Sequence, residues 1–282
     1  MDSLITKAEK VLGSQVNKTQ EALFEQMSLL LNKLDLLPDG TIKQSQANRA
    51  ILGDAGTYFN KAFNQSGYYD TLGGFTETVI SITAANEAYF TVLLDTFTID
   101  AQYIKSLQKS SILQLQSLLA NEGLEAQVKT PILNILNQNI NTGASFYDLN
   151  KQLRQVVLGD AERDGKLKRY SSQIVTDTLF NFGRSMQESI SNKAGLQFVV
   201  YLGGLVKDSR DFCVERSGNY YHRSEVEQWA ALEWSGKRPD TTESTIFIYA
   251  GGWRCAHQII YVSEFVVPPE VIERAKEAGF YE

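Results

Sequence analysis

The chain has only two cysteines and two histidines, and all four fall in its C-terminal part: Cys213, His222, Cys255 and His257. Two thiolates and two imidazoles make a complete tetrahedral zinc set, and nothing else in the sequence offers comparable coordination chemistry. The same side chains admit other chemistries. Buried free thiols, a disulfide between Cys213 and Cys255, and a nucleophilic Cys–His pair all use these residue types. A nucleophilic pair also needs an orienting group and a substrate cleft, and a metal-dependent nuclease needs a further His and Asn; the sequence displays neither.

Spacing adds geometry. Arg254-Cys255-Ala256-His257 runs into Gln258-Ile259-Ile260-Tyr261-Val262, whose β-branched and aromatic content predicts a strand, with Cys255 and His257 on one face at i and i+2. Upstream, Phe212-Cys213-Val214-Glu215 and Asn219-Tyr220-Tyr221-His222 flank Ser217-Gly218, an expected hairpin turn that sets Cys213 opposite His222. A turn at Gly218-Asn219 instead sets His222 against Glu215, and the fourth ligand then falls to Asp208 or Asp211. Gly251-Gly252 lets the backbone turn or approach closely before the Cys-x-His segment. A zinc ion here would tie the hairpin to the later strand, and four protein ligands would give it a folding role.

The elements that position these residues are mostly helical. Val16, Leu23, Met27, Leu30, Leu34 and Leu37 form an apolar stripe, ended by Pro38-Asp39-Gly40 and suited to an intrachain bundle or to a neighbouring subunit. A second helix reaches Phe63, and residues 67–74 are expected as a Tyr- and Gly-rich loop. Further helices are expected over 76–94, over 100–119 and after Pro131. Ser145 is expected to cap a helix to Val157, and a long helix spans 160–192. Gly195-Leu196-Gln197-Phe198 then switches the periodicity to strand. Ser224 is expected to cap a short helix carrying Glu225 and Glu227, which diverge as solvated charges, and Ile246 to Tyr249 is a strand candidate. The fold class is α+β, with a helical N-terminal part and a small β-rich C-terminal module holding a zinc knuckle. The expected division is a helical domain at 1–143, connecting helices at 144–194, a β-rich Cys/His module at 195–267 and a short helical tail at 268–282.

Gly195-Leu196-Gln197-Phe198-Val199-Val200-Tyr201, Asp208-Ser209-Arg210-Asp211-Phe212-Cys213, Gly218-Asn219-Tyr220-Tyr221 and Gly251-Gly252-Trp253-Arg254-Cys255-Ala256-His257, in that order, resemble the phage head-morphogenesis domain. This is the minor head protein family typified by phage Mu protein F. Asp208, Arg210, Cys213, Gly218, Gly252, Cys255 and His257 match its pattern, whereas His222 falls where the pattern demands nothing. The resemblance covers residues 146–267. It implies a minor structural protein of a tailed-phage head, present in few copies near the portal vertex and working through protein–protein contacts rather than catalysis. Implied partners are the portal or major capsid protein of the same phage and further copies of this chain in a virion ring. The implied location is the capsid interior or portal vertex, after synthesis in the host cytoplasm. The alternative is a metal- or thiol-dependent enzyme, a nuclease or hydrolase acting during DNA packaging or delivery.

Composition narrows these readings. The 282 residues suffice for two domains and a sizeable core. A net charge of -6 disfavours a module whose main task is gripping DNA, and the short basic run Lys166-Leu167-Lys168-Arg169 reads as a solvated helix start. The longest apolar stretch, Phe198 to Val206, is interrupted by Gly203-Gly204 and is too short for a membrane span. No secretory signal is read at Met1-Asp2-Ser3-Leu4, so a reducing compartment favouring free or metal-bound thiols is expected.

Overall fold

The computed structural model describes residues 1–94 and 100–282. Its helices in chain order are α1 (Asp2–Leu31), α2 (Gln46–Gln65), α3 (Tyr68–Gly73), α4 (Phe75–Leu93), α5 (Ala101–Ala120) and α6 (Glu122–Leu124). A wider π-type turn at Glu125–Lys129 leads into α7 (Thr130–Thr142), followed by α8 (Phe146–Val157) and α9 (Lys166–Ala194). The C-terminal part continues β1 (Phe198–Leu202), α10 (Asp211–Arg216), β2 (Tyr220–His222), α11 (Arg223–Gln228), α12 (Ile246–Tyr249), β3 (Gln258–Val262) and α13 (Pro269–Glu277). The class is α+β. Two compact units are discontinuous along the chain, one comprising Met1–Thr6, Thr76–Ile112 and Thr176–Glu282, the other Lys7–Phe75 and Leu113–Val175. The linear division at 143, 194 and 267 does not map onto them, because α1, α5 and α9 each contribute opposite ends to different units.

The second unit is built of helices, with isolated β-bridges such as Leu36 to Ile42 and Thr41 to Ser145 in its connections. Val16, Leu23, Met27 and Leu30 of α1 are buried, so the stripe serves the chain's own core, and α1 ends at Leu31, leaving Leu37 exposed. Within the expected loop at 67–74, Tyr68–Gly73 form the short α3, with Tyr68 buried against Phe63 and its hydroxyl donating to the Leu119 carbonyl at 3.0 Å. Ser145 caps α8 as expected, accepting from the Asp148 N–H, and Gly143 closes α7 in the left-handed conformation. The long helix starts later than expected. Asp160 Oδ1 accepts the N–H groups of Glu162 and Arg163 and makes a turn of that stretch, so α9 begins at Lys166. Asn48, fully buried, pins the segment between α1 and α2: Nδ2 donates to the carbonyls of Asp35 (2.8 Å) and Lys43 (2.7 Å), and Oδ1 accepts the Asp35 N–H (2.9 Å).

The first unit contains the sheet, whose antiparallel order β2-β1-β3 puts β1 at the centre. Val199 and Tyr201 face a core built with Phe212, Trp229, Phe247 and Tyr261. Phe198 and Val200 face the other way, toward Val262, Val267 and α13 residues Val271 and Ala275. Two expected strands are helical turns. Phe212 and Cys213 enter the same core, as do Ile246, Phe247 and Ala250, and adjacent residues reach one side from a helical turn but not from a strand. The expected hairpin is likewise replaced: His222 pairs with Phe198 of β1 and not with Cys213.

Asn48→Ala removes three bonds and strands the Lys43 carbonyl and the Asp35 N–H, while the Asp35 carbonyl keeps the Lys43 N–H. It should destabilise the chain by about 2–3 kcal/mol in denaturant unfolding; a loss below about 0.5 kcal/mol would show that water replaces the side chain without cost.

Candidate metal centre

Cys213 comes from α10, and Cys255 and His257 come from the segment entering β3. One ligand atom from each lies within 4.8 Å of the others, and all three residues are buried. Cys255 Sγ is 3.8 Å from His257 Nδ1 and accepts the Gly251 N–H at 3.3 Å. Tyr201 of β1 stands over the group, its hydroxyl 3.3 Å from Cys213 Sγ and 3.7 Å from Cys255 Sγ. Its ring stacks on the His257 imidazole at 5.2 Å between centroids.

The loop before Cys255 is held in an unusual shape. Ala250, Gly252 and Arg254 have φ of 47°, 96° and 56°, and L side chains adopt this region only under constraint. Five hydrogen bonds supply that constraint. Arg210 donates to the Trp253 carbonyl at 2.6 Å, Trp253 N–H to Gly236 O at 2.9 Å and Trp234 Nε1 to Gly251 O at 2.9 Å. The Arg254 N–H reaches Asp177 Oδ1 at 2.6 Å, and the Cys255 N–H returns to Gly252 O at 3.2 Å. Gly251 permits the closest approach. A Cβ there would lie 2.5 Å from Cys213 Sγ, 2.9 Å from Cys255 Sγ and 3.2 Å from the Tyr201 hydroxyl. A Cβ on Gly252 would collide with the Gly236 carbonyl.

Electrostatics separate the two thiols. The hydrogen bond between them raises the Cys213 thiol, and burial raises it further. That bond holds Cys255 down against its burial, helped by His257 and by the Arg184 charge. Burial, then the neighbouring thiols, pushes the Tyr201 hydroxyl well up. Arg184 of α9 is itself buried, with Nε donating to the His257 carbonyl (3.0 Å), Nη1 to Ile248 O (2.9 Å) and Nη2 to Cys255 O (2.5 Å). The donor set suits a thiophilic cation. Both thiols are free, and among the described residues His257 Nδ1 meets only the Cys255 sulfur and the Tyr201 hydroxyl meets only the two sulfurs. The group can therefore hold a metal ion.

His222 is corrected out of this set. It lies on the sheet face of Phe198, with its ring 5.2 Å from Phe198 and 6.0 Å from Phe280, while the thiols lie on the face of Tyr201. Its Nδ1 accepts the Ser224 N–H at 3.2 Å, so His222, and not Ser224, caps α11. Glu225 completes the cap through the His222 N–H at 2.7 Å and pairs with Arg274, while Glu227 pairs with Arg223. Asp208 and Asp211 do not join the thiols either; with Arg210 and Arg216 they line an open groove of about 490 Å³. Gly218, at φ 84°, donates its N–H to Tyr201 O and turns the chain from α10 into β2.

Tyr201 and Arg184 were not among the site residues expected from sequence. Arg184 had a signal, a cation set two residues from Phe182 and two from Met186 in α9. An α+β chain with a buried Cys213, Cys255 and His257 group is thus defined, one competent to bind a metal ion. Comparison with protein-family models, with curated proteins and with solved structures finds no match.

Cys255→Ser should lower metal content and thermal stability together, and unchanged metal content would remove Cys255 from the ligand set. His222→Asn should leave metal content intact and alter pH dependence. Burial lowers the His222 pKa below 6.5, so the fold lacks a proton that the unfolded chain binds. Its stabilisation is complete above about pH 6.5 and is lost as pH falls through the folded value. Denaturant midpoints should fall less from about pH 7.5 to 5.5 in His222→Asn than in the parent chain; equal falls would exclude His222 as a source.

Proposed function

We propose that this chain is a minor structural protein of a tailed-phage head, acting in assembly near the portal vertex through protein–protein contacts, with zinc as a structural ion. One observation carries the reading. The segments that carry the resemblance to the head-morphogenesis domain, separated by some forty residues of chain, converge: Arg210 grips the loop of Gly252 and Trp253, and Cys213 meets Cys255 and His257. Order and spacing in that motif thus correspond to one interlocked module. Burial of all three donors favours a role in stability over turnover, since a catalytic metal keeps a position open to substrate.

In this reading the zinc ion fastens α10 to the segment entering β3, and the module presents its outer surfaces to portal or capsid neighbours and to further copies of the chain. No described helix is long and apolar enough to cross a membrane. The acidic balance supports protein rather than nucleic-acid partners.

Quantitative mass spectrometry of purified phage particles and empty precursor heads tests the proposal. A fixed low copy number per portal in both is expected; absence from mature particles would overturn the structural role.

A further inference from the structure

The three clustered donors leave a fourth coordination position, and His222, Asp208 and Asp211 lie elsewhere. We propose that Tyr201 Oη fills it, closing the centre with two thiolates, one imidazole and one phenolate. This rests on the zinc reading above and specifies its ligand set.

Distances carry the first argument. With Zn–S of about 2.3 Å and Zn–O of about 2.0 Å, a regular tetrahedron has S···O edges of about 3.5 Å and S···N edges of about 3.6 Å. Tyr201 Oη lies 3.3 and 3.7 Å from the two sulfurs, and Cys255 Sγ lies 3.8 Å from His257 Nδ1. Those three edges already stand at coordination spacing, with Nδ1 as the imidazole ligand atom. The hydroxyl is fully buried, and the two sulfurs are its only hydrogen-bond partners among the described residues, whereas a buried phenol ordinarily finds a stronger acceptor.

Charge carries the second argument. Arg184 is buried, its hydrogen bonds among the described residues go to carbonyl oxygens, and its charge acts on the Cys255 sulfur, which zinc would neutralise. A buried cation requires a compensating negative charge. Zinc with two thiolates, a neutral imidazole and a water is uncharged. With phenolate in place of water, the centre carries one negative charge beside the carbonyls that Arg184 holds. Asp177, the nearby carboxylate, also faces Arg238 and Arg254 and is not reserved for Arg184. On binding, the Cys213 S–H proton, any proton that Cys255 still carries and the Tyr201 O–H proton pass to solvent, and no electron moves.

Cobalt titration of the full chain after chelator treatment, followed by ultraviolet and visible absorption, tests this, with zinc competition giving affinity. The parent chain should develop thiolate-to-cobalt bands together with the difference band of one ionised tyrosine per metal. Tyr201→Phe should keep the thiolate bands, lose the tyrosine band and bind zinc at least about tenfold more weakly. Thiolate bands without the tyrosine band in the parent chain would overturn Tyr201 as a ligand while leaving the metal site standing, and this holds even if the variant does not fold. Failure of the parent chain to take up cobalt or zinc would overturn the underlying zinc reading and this inference with it.

Discussion

Arg184 donates to the carbonyl oxygens of Ile248, Cys255 and His257 from a position with almost no solvent access, and a charge so placed must be answered by its surroundings. The three carbonyls belong to the end of α12 and the segment entering β3, so one guanidinium sets the path of the chain that carries two of the three donors. The loop between them can then be strained. Positive φ at Ala250 and Arg254 is tolerated because Arg184, Arg210, Trp234 and Asp177 hold its neighbours from several sides. Remove the guanidinium, and those carbonyls lose their donors in a place water reaches poorly.

The central strand divides the work of the module. Every residue of β1 from Phe198 to Tyr201 is buried, and the period of two sends Val199 and Tyr201 to the side of the thiols and Phe198 and Val200 to the side covered by α13. One imidazole sits on each face. His257 stacks on Tyr201 beside the thiols, whereas His222 packs near Phe198 and caps α11. Two residues alike in chemistry and close in sequence are thereby committed to different tasks, one at a candidate ligand position and one at a helix terminus.

Much of this was legible in the residues. Helical periodicity located the N-terminal helices, Ser145 announced its cap, and the rarity of Cys and His singled out the segment where three of the four converge. The misreadings share a cause. Phe212-Cys213-Val214-Glu215 and Ile246 to Tyr249 have strand-like composition, but two adjacent residues of each enter the same core, a tertiary demand that selects a helical turn over local preference. The hairpin expected at Ser217-Gly218 failed for the same reason, since β1 supplies the pairing edge that β2 takes. Tyr201 was hidden by its composition: a tyrosine in an apolar strand reads as core, and only the folded chain brings its hydroxyl to the sulfurs.

A buried metal centre that fastens α10 to the segment entering β3 is the claim on which the functional proposal leans. X-ray absorption at the zinc edge on the purified full chain tests it most directly. Two sulfur neighbours at about 2.3 Å and two lighter neighbours at about 2.0 Å, with one zinc per chain, are the expected shell. A shell without sulfur, or a chain that retains no zinc, would contradict it.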